Sequence, residues 1–377
     1  MKALHFVKTA TGATWALLQM RELVKLGVEV HVAMPEGALT SAYEAAGVRV
    51  HALNADLPTR QPWRAPALRR DVRRLVADVR PDVIHSHFVG TTLALRAAMP
   101  RSPVPRFFQV PGPLHLEHAL FRQLDLRSAG PADFWIGSCR WTCDRYRAAG
   151  VAGDRVFLGY YGVDTEKFQP KAPGRLRAEL GLAGDARIVG MVAYFYAPKR
   201  YLGQTRGLKG HEDLVDALAR LDDPRVVGVF VGGAWGGADA YEARVRAYAA
   251  RRLGARAVFL GTRRDVAELY ADFDVVVHPS HSENVGGAGE SLLLAVPTIA
   301  SDVGGLPDLV VPGETGWLVP PRAPEAIAAA VREALADPGR ARATALRGQA
   351  RARAMMDARP NAARVHAIYR EVLQRHV

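Results

Sequence analysis

Cysteine is nearly absent from this 377-residue sequence, which contains only Cys139 and Cys143. Two cysteines four positions apart cannot form a disulfide framework or a four-ligand zinc site, so both are expected to be buried thiols. Long apolar runs are also absent. The longest, such as Arg225–Gly233, fall far short of the roughly 18 residues that a membrane-spanning helix needs. The sequence therefore predicts neither a disulfide-stabilised secreted protein nor a transmembrane helix.

The beginning of the chain lacks the pattern of a signal peptide. Polar residues follow the short apolar stretch Met1–Lys8 at once, where a signal peptide would continue with an apolar core and a cleavage site. The stretch is interpreted as a first β-strand. The protein is expected to be cytoplasmic, either free or peripheral on the inner face of the membrane.

Lysine is scarce: only seven of the 50 basic residues are lysines. The formal net charge is +12, which predicts attraction to phosphates, anionic membrane surfaces or acidic substrates. Six arginines lie in the segment Arg64–Arg80, which has helical apolar spacing. This segment is interpreted either as the solvated face of a helix that packs on a sheet or as a surface that docks on anionic lipid or an anionic acceptor. Because no stacking aromatic residues interrupt it, nucleic acid is not an expected partner.

Strand-like and helix-like segments alternate along the first third of the chain, which predicts βαβ units on a parallel sheet. The predicted strands here are Lys2–Lys8, Gly27–Pro35, Pro81–His87 and Ala132–Gly137, and the predicted helices are Trp15–Leu26 and Ala38–Ala46. The alternation stops in the Pro- and Gly-bearing stretch Gly162–Pro170, which indicates a domain boundary. A second series follows, with predicted strands at Ile188–Ala193, Val227–Val231, Ala257–Leu260, Val275–His278 and Thr298–Ser301.

These patterns predict an α/β protein with two doubly wound, Rossmann-like parallel-sheet domains that face a central cleft. The domains are expected at residues 1–165 and 166–358, and residues 359–377 are expected to form a helix that packs back on the first domain. The tail from Pro324 is Ala/Arg-rich and helical, with a break near Pro360. In such folds, ligands bind at the carboxyl ends of the strands.

The segment His278–Pro297 carries the strongest local signal, because a strand is followed by a glycine-rich loop and then by an apolar helix that starts near Ala288. The backbone N–H groups of Gly286, Gly287 and Ala288 can bind a phosphate at the start of this helix. Glu290, in its first turn, can accept hydrogen bonds from a diol such as ribose. The alternative is a plain glycine turn followed by a charge-capped helix.

The loop does not stand alone, because the segments around it form a longer pattern. Asp302–Val310 and Pro312–Pro321 closely resemble the signature of the retaining, nucleotide-sugar-dependent GT-B glycosyltransferases of family 4. The resemblance extends over nearly the whole chain through Pro81–His87, Gly162–Phe168, Phe259–Val266 and Ala271–Ser280. It implies a GT-B fold and a nucleoside-diphosphate sugar as donor. The implied acceptor is a hydroxyl group of a surface polysaccharide, a lipid-linked sugar or a natural product.

The family's acidic motif consists of two glutamates separated by seven residues, of which the first reaches the donor sugar and the second the ribose. Glu290 matches the second position. The first position falls on Ser282, and Glu283 is one residue later. Either the loop is one residue shorter and Glu283 contacts the sugar, or the sugar contact differs. We favour Glu283, because a carboxylate in a closed cleft needs a partner that offsets its desolvation.

The resemblance also implies cationic groups for the diphosphate. Lys209 matches the family's lysine, but Tyr194 stands where the family has its arginine. An insertion, Tyr196–Gly207, supplies further cations, and Arg200 or Arg206 is expected to replace the missing arginine. Arg263 is a further candidate for donor binding. Because lysine, arginine and helix N-termini can neutralise a diphosphate, neither a metal ion nor another cofactor is expected.

In the first domain, Gly12 matches the family's glycine between the first strand and the first helix. His115 lies where the family has a histidine near the donor sugar, and His87 is the alternative. Together, His115, Glu283 and Lys209 are the predicted catalytic residues.

Two other functions remain open from the sequence. A sugar-nucleotide epimerase on the same fold would share the diphosphate site and need no acceptor. A non-catalytic protein that binds an anionic ligand would use the positive charge alone. The donor sugar, the acceptor and the oligomeric state are not specified by the sequence.

Overall fold

The computed structural model describes residues 1–375. The chain divides into two compact units. Unit 1 contains Met1–Asp164 and the chain from Met356 onward, whereas unit 2 contains Thr165–Met355. Unit 1 is therefore discontinuous in sequence, and unit 2 is continuous.

Unit 1 is built on a seven-stranded parallel sheet with the strand order β3-β2-β1-β4-β5-β6-β7. Its strands are β1 (Lys2–Phe6), β2 (Glu29–Met34), β3 (Arg49–Ala52), β4 (Val83–Ser86), β5 (Arg106–Val110), β6 (Asp133–Gly137) and β7 (Val156–Leu158). The strand order reverses between β1 and β4, where His5 and His85 are register partners.

Unit 2 is built on a six-stranded parallel sheet with the strand order β10-β9-β8-β11-β12-β13. Its strands are β8 (Arg187–Val192), β9 (Val226–Val231), β10 (Ala257–Gly261), β11 (Val275–His278), β12 (Thr298–Ser301) and β13 (Trp317–Val319). Here the order reverses between β8 and β11, which defines the topological switch point of this sheet.

Helices connect the strands of both sheets. Unit 1 begins with α1 (Thr14–Lys25), α2 (Thr40–Ala45), α3 (Ala65–Val79), α4 (Val89–Ala98), α5 (Leu114–Glu117), α6 (Ala119–Ser128) and α7 (Arg140–Ala148). Unit 2 contains α8 (Arg175–Glu179), α9 (His211–Leu221), α10 (Asp239–Leu253), α11 (Val266–Tyr270), α12 (Gly286–Leu293), α13 (Leu306–Leu309), α14 (Pro324–Ala336) and α15 (Pro338–Met356). The chain then returns to unit 1 as α16 (Ala358–Arg375). Short 3₁₀ helices lie at Pro62–Arg64, Gly153–Arg155, Arg200–Leu202 and Gly254–Arg256.

The last helix completes the core of unit 1. α16 packs against α1, and its apolar side chains are fully buried among those of the sheet: Ala362, Val365, Ile368, Tyr369 and Val372. The backbone N–H of Val163 donates to the carbonyl of Met356 over 2.7 Å, which fixes the point where the chain re-enters the unit.

The predicted fold class is confirmed, and so are all nine predicted strands. Four strands were missed because they are short or carry polar residues: β3, β5, β7 and β13. The predicted helix break near Pro360 was wrong by a few residues, since the break lies at Asp357. Pro360 falls in the first turn of α16, where a helix does not need the missing N–H.

Cys139 and Cys143 are both buried thiols outside any disulfide, as expected. Across residues 1–375, no helix combines the length and the apolar character needed to cross a membrane.

Candidate functional site

Two loops meet at the switch point of unit 2. One follows β8 and carries Lys209, and the other follows β11 and carries Glu283. The backbone N–H of His281 donates to the carbonyl of Leu208 over 2.8 Å, which joins the loops directly. Gly210 allows this close approach. Its φ is +73°, and a Cβ there would lie 2.0 Å from the carbonyl oxygen of Pro279, so only glycine fits without a backbone shift.

Lys209 and Glu283 form an ion pair across the two loops. Both side chains are largely buried, with 20% and 17% of their surface exposed. The carboxylate of Glu283 also accepts hydrogen bonds from Ser280 Oγ over 3.3 Å and from the backbone N–H of Asn284 over 3.1 Å. Lys209 Nζ lies 5.8 Å from the centroid of the Tyr196 ring. The pair thus places a cation and a carboxylate side by side at the switch point of unit 2.

The N-terminus of α12 follows Glu283 closely. Its N-cap residue, Val285, makes no capping hydrogen bond with its side chain, so the first N–H groups of the helix have no side-chain acceptor there. These groups belong to Gly286, Gly287 and Ala288, of which Gly286 is exposed and has no heavy atom within 4 Å of its would-be Cβ. Backbone donors of this kind, together with the helix dipole, favour an anionic ligand.

Glu290 lies one turn further along α12 and lines a pocket of about 370 Å³. The pocket opens at the carboxyl ends of β8, β9 and β10, and its other lining residues include Lys167, Tyr194, Gly232 and Arg263. Burial raises the pKa of Glu290 to about 7, although the charge of Lys167 acts in the opposite direction. No hydrogen bond links the Glu290 carboxyl group to the other described residues. The carboxyl group is therefore available for a ligand that donates hydrogen bonds.

The raised pKa of Glu290 predicts a pH-dependent stability. Between about pH 5 and pH 7 the folded chain binds a proton at Glu290 that the unfolded chain releases, so this residue lowers the free energy of unfolding as the pH rises. Glu290→Gln removes the effect. We expect the variant to gain about 2 kcal/mol over the wild type between pH 5.5 and pH 8, measured by urea unfolding. An equal pH dependence for both proteins would contradict the buried carboxyl group.

Arg206, a predicted donor-binding residue, is already paired. Its guanidinium donates to Asp213 over 2.6 Å and to Asp216 over 2.8 Å, both on α9. Burial alone would lower the pKa of Arg206, but the hydrogen bond to Asp216 and the charge of Asp213 outweigh it and raise that pKa. Asp213 also accepts a short hydrogen bond from His281. Arg206 therefore ties the insertion to α9 and to the loop after β11.

Arg200 has no ion-pair partner among the described residues and is exposed in the 3₁₀ helix of the insertion. We therefore expect Arg200, rather than Arg206, to supply a second cation to the diphosphate. Arg206→Gln is expected to lower the free energy of unfolding by about 1 to 3 kcal/mol, because two buried carboxylates lose a partner. Arg200→Gln is expected to leave the unfolding free energy unchanged and to weaken nucleotide binding. Calorimetry and urea unfolding of both variants test this division, and reversed effects would contradict it.

Arg263 is also engaged within unit 2. Its guanidinium contacts Glu179 over 2.7 Å and Asp265 over 2.7 Å, and the hydrogen bonds that it donates to Asp265 and Glu179 raise its pKa. Arg263 lines the Glu290 pocket, where Glu179 and Asp265 hold its side chain in place. Its role in donor binding stays a prediction.

Two candidate residues belong to unit 1. Gly12 lies in the loop between β1 and α1, is exposed and has a φ of +73°, which a residue with a Cβ rarely adopts. His115 lies in α5 and keeps 8% of its surface exposed. Its Nε2 atom lies 3.0 Å from the hydroxyl of Tyr146 and 3.6 Å from a carboxylate oxygen of Asp125.

His87, the alternative to His115, is fully buried in a cluster with His5 and His85. His5 Nδ1 and His87 Nε2 lie 2.9 Å apart, and the three ring planes are within 21° of parallel. Within residues 1–375 this is the one group of three potential metal ligands close enough to share an ion. Because the lone pair of an imidazole lies in the ring plane, these stacked rings do not point at a common position. We therefore interpret the cluster as a neutral part of the core.

Two doubly wound units of this kind, the first completed by the last helix of the chain, define the GT-B class of folds. Residues 200–353 match the model of the family described as glycosyl transferases group 1, and residues 12–167 match the model described as glycosyltransferase family 4. The chain belongs to the group 1 glycosyltransferases. The resemblance inferred from the motifs is thereby confirmed.

Individual proteins agree with the family assignment. A D-inositol 3-phosphate glycosyltransferase of Frankia alni is 30% identical over 348 residues, which cover 81% of this chain and 80% of that protein. Another, of Streptomyces bingchenggensis, is 35% identical over 224 residues, covering 56% of this chain but only 47% of that protein. The chain thus spans about half the length of this second relative. The crystal structure of HepE from Anabaena in complex with UDP has a TM-score of 0.81 at 23% identity and covers 97% of this chain and 99% of that one, which shows the shared fold.

The sequence did not indicate the groups that surround the candidate residues. The partners of His115 lie 10 and 31 positions away, and those of Arg206 lie on the following helix. No motif links such residues, because their contacts arise only when helices pack on a sheet. Asp125 and Tyr146 carried no signal of their own in the sequence.

Proposed function

We propose that the protein transfers a sugar from a nucleoside-diphosphate sugar to a hydroxyl acceptor, with retention of the anomeric configuration. One observation carries the proposal: Lys209, Glu283, the uncapped N-terminus of α12 and the Glu290 pocket lie together around the carboxyl ends of the unit 2 strands. This set supplies a cation, backbone donors, a carboxylate and a pocket for a nucleoside. These are the groups that a nucleotide sugar requires.

The arrangement assigns each part of the donor to a position. The ribose diol donates hydrogen bonds to Glu290, and the nucleoside occupies the adjoining pocket. The diphosphate accepts hydrogen bonds from the N–H groups of α12 and from Lys209. The sugar is bound by Glu283. Because Lys209 and Glu283 contact each other in this structure, donor binding has to exchange their ion pair for contacts with the diphosphate and the sugar.

During transfer, the bond between the anomeric carbon and the diphosphate oxygen breaks, and a bond to the acceptor oxygen forms on the same face of the sugar. The acceptor proton passes to the leaving diphosphate, which acts as the base. Lys209 and the N-terminus of α12 stabilise the negative charge that grows on the leaving group, a type of stabilisation that often dominates catalysis. These charges are enough to propose that no metal ion is needed.

The first donors to test follow from the similar proteins. Because the HepE structure contains UDP, we propose a uridine diphosphate sugar, and UDP-glucose is the first probe. The Frankia relative is named for D-inositol 3-phosphate, so a phosphorylated polyol is the first acceptor to test. Polysaccharide and lipid-linked acceptors follow as further arms of the same screen.

The proposal is tested by a thermal-shift screen of UDP, GDP, ADP and their sugars, each with and without EDTA. A ligand at 100 times its dissociation constant raises the free energy of unfolding by about 2.7 kcal/mol. NMR then identifies the anomer that forms with the acceptor. Conversion of a nucleotide sugar without any acceptor would favour an epimerase, and an inverted product would contradict the retaining mechanism. The absence of binding by every nucleotide would overturn the proposal.

We also propose that α3 gives the protein a peripheral contact with anionic membranes. Its apolar side is used inside unit 1, where Val72 and Val79 are buried, so the contact is electrostatic. The helix exposes Arg69, Arg70 and Arg74 to solvent, and Trp63, just before the helix, is 71% exposed.

The membrane contact predicts salt-sensitive binding to vesicles that contain phosphatidylglycerol and none to neutral vesicles. Each arginine near the surface contributes about 1 kcal/mol, so replacing Arg69, Arg70 and Arg74 together by glutamine should weaken binding roughly 100-fold. Co-sedimentation measures the effect. Equal binding of both vesicle types would show that the charged face is merely solvated.

A further inference from the structure

His115 is held by two buried side chains of unit 1 that the sequence did not indicate. Tyr146, on α7, is fully buried, and its hydroxyl lies 3.0 Å from His115 Nε2. Asp125, on α6, is also fully buried, and its Oδ2 atom accepts a hydrogen bond from the Tyr146 hydroxyl over 2.7 Å. The imidazole therefore lies at the end of a chain of hydrogen bonds that runs into the core.

The charge of Asp125 is fixed by the buried arginine on α4. Arg96 is 2% exposed and donates to Asp125 over 2.7 Å and to Asp133 over 2.9 Å. Burial alone would raise the pKa of Asp125, but the neighbouring His115 and the charge of Arg96 outweigh it and lower that pKa. Asp125 is therefore a carboxylate, which can only accept hydrogen bonds.

This chain fixes the position of the proton on His115. The Tyr146 hydroxyl has one hydrogen, and it is donated to Asp125. The oxygen of Tyr146 can then only accept a hydrogen bond from the imidazole, so Nε2 of His115 carries the hydrogen. In the neutral imidazole, Nδ1 then has a lone pair and no hydrogen. Nδ1 makes no hydrogen bond to the described residues, and it is not among their fully buried atoms without a partner. Nδ1 therefore lies on the part of the ring that is exposed to solvent.

We propose that Tyr146 and Asp125 are positioning residues that hold His115 as the Nε2–H tautomer and present Nδ1 as a hydrogen-bond acceptor to a hydroxyl of the donor sugar. The inference rests on the proposed function, because it takes His115 as the residue that contacts the sugar. It adds which ring atom makes that contact, in which protonation form, and which residues determine both. A sugar O–H then donates to Nδ1, and no proton is transferred in this contact.

The arrangement also distinguishes His115 from His87. Both nitrogens of His87 are engaged, Nε2 with His5 and Nδ1 with the Tyr161 hydroxyl over 2.9 Å. His87 has no exposed surface. Of the two histidines considered for the sugar contact, only His115 combines a fixed tautomer with a nitrogen that can meet a ligand.

The tautomer can be measured directly, and without any donor, by ¹⁵N NMR of the full chain labelled at its 12 histidines. His115 is assigned by comparison with the His115→Gln variant. We expect the shifts of a protonated Nε2 and an unprotonated Nδ1 at pH 7.5. A protonated Nδ1 would overturn the inference, whether or not the protein transfers sugar.

Tyr146→Phe tests the effect on catalysis, because it keeps the ring and the Arg96–Asp125 pair but removes the hydroxyl. We expect the rate of UDP-glucose turnover to fall about tenfold, roughly the value of one hydrogen bond, with UDP affinity unchanged. Tyr43→Phe is the matched control, since it removes another buried hydroxyl of unit 1 that bonds to Ala13 over 3.4 Å. An unchanged rate in Tyr146→Phe, or an equal loss in the control, would overturn the inference.

Asp125→Asn is expected to reverse the tautomer of His115. The new amide can donate to the Tyr146 oxygen, which frees the hydroxyl to donate to His115 Nε2 and moves the imidazole proton to Nδ1. We expect NMR to show this second tautomer, with a loss of turnover at least as large as in Tyr146→Phe. Retention of the Nε2–H form in a folded Asp125→Asn protein would count against the inference. If the wild type turns over no nucleotide sugar but shows the expected tautomer, the proposed function fails and the positioning network stands.

Discussion

Replacing Lys209 by alanine is expected to lower the rate of sugar transfer at least tenfold, the largest kinetic effect of any single change in unit 2. A partly buried, charge-assisted contact with the diphosphate is worth about 1.5 to 3 kcal/mol, and each 1.36 kcal/mol in the barrier is a factor of ten in rate. UDP affinity should fall by a similar factor, because the cation contacts the diphosphate before and during transfer. Steady-state kinetics and calorimetry measure the two quantities.

Lys199→Ala is the matched control, since Lys199 is exposed in the neighbouring insertion and has no ion-pair partner among the described residues. Its rate should equal that of the wild type. Normal kinetics for Lys209→Ala would remove Lys209 from the diphosphate site.

Glu283→Gln is expected to separate UDP affinity from sugar transfer, which Lys209→Ala lowers together. Without the carboxylate, Lys209 no longer has to break an ion pair, so UDP should bind as tightly as in the wild type or more tightly. Transfer should nevertheless fall, because the sugar loses its acceptor. Parallel losses of UDP affinity and transfer would show that Glu283 supports the nucleotide rather than the sugar.

Acidification is expected to have the largest effect on stability. Burial lowers the pKa of His5 to about 3 and those of His85 and His87 well below their usual range, and the charges of neighbouring histidines add to the effect for the latter two. The folded chain keeps these rings neutral, whereas the unfolded chain binds protons below about pH 6.5. The free energy of unfolding therefore falls as the pH drops below 6.5. His5 alone contributes about 2 kcal/mol of this loss at pH 5.

Two buried histidines of unit 2 act in the same direction, since burial lowers the pKa of His211 to about 3 and that of His278 to about 4. Native domains are stable by only about 5 to 15 kcal/mol, so the protein should lose most of its stability near pH 5. Urea unfolding at pH 7.5 and pH 5 measures the loss. His85→Gln should reduce the pH dependence, because it removes one of the buried rings. An equal unfolding free energy at both pH values would show that the cluster is already protonated or open to water.

Much of the fold and part of the site follow from local sequence patterns. Both sheets could be predicted from short apolar runs that are each followed by a helix. A strand of a parallel sheet is buried on both faces, so nearly all of its residues are apolar. β3 was missed because Arg49–Ala52 alternates polar and apolar residues, and β13 because three residues are too few for a pattern. Lys209, Glu283 and Glu290 could be placed near one edge of the unit 2 sheet because each lies between a strand and the end of the helix that follows it, where chain order determines position.

The remaining features depend on contacts between distant segments. Arg206 was predicted as a diphosphate ligand because the insertion that contains it supplies cations. In the structure, this arginine forms ion pairs with Asp213 and Asp216. Similarly, nothing near His115 in sequence indicates that Tyr146 and Asp125 determine which of its nitrogens carries the proton. Such assignments need the packing of α6 and α7, which no periodicity specifies.

The return of the chain to unit 1 has a consequence for synthesis on the ribosome. Unit 2 is continuous and can fold as soon as residue 355 has left the exit tunnel. Unit 1 cannot, because its core lacks α16, including the Tyr369 hydroxyl that hydrogen-bonds His85. The core of unit 1 therefore stays incomplete until the whole of unit 2 has been translated. Of the two units, the one that begins first is thus the one whose core is completed last.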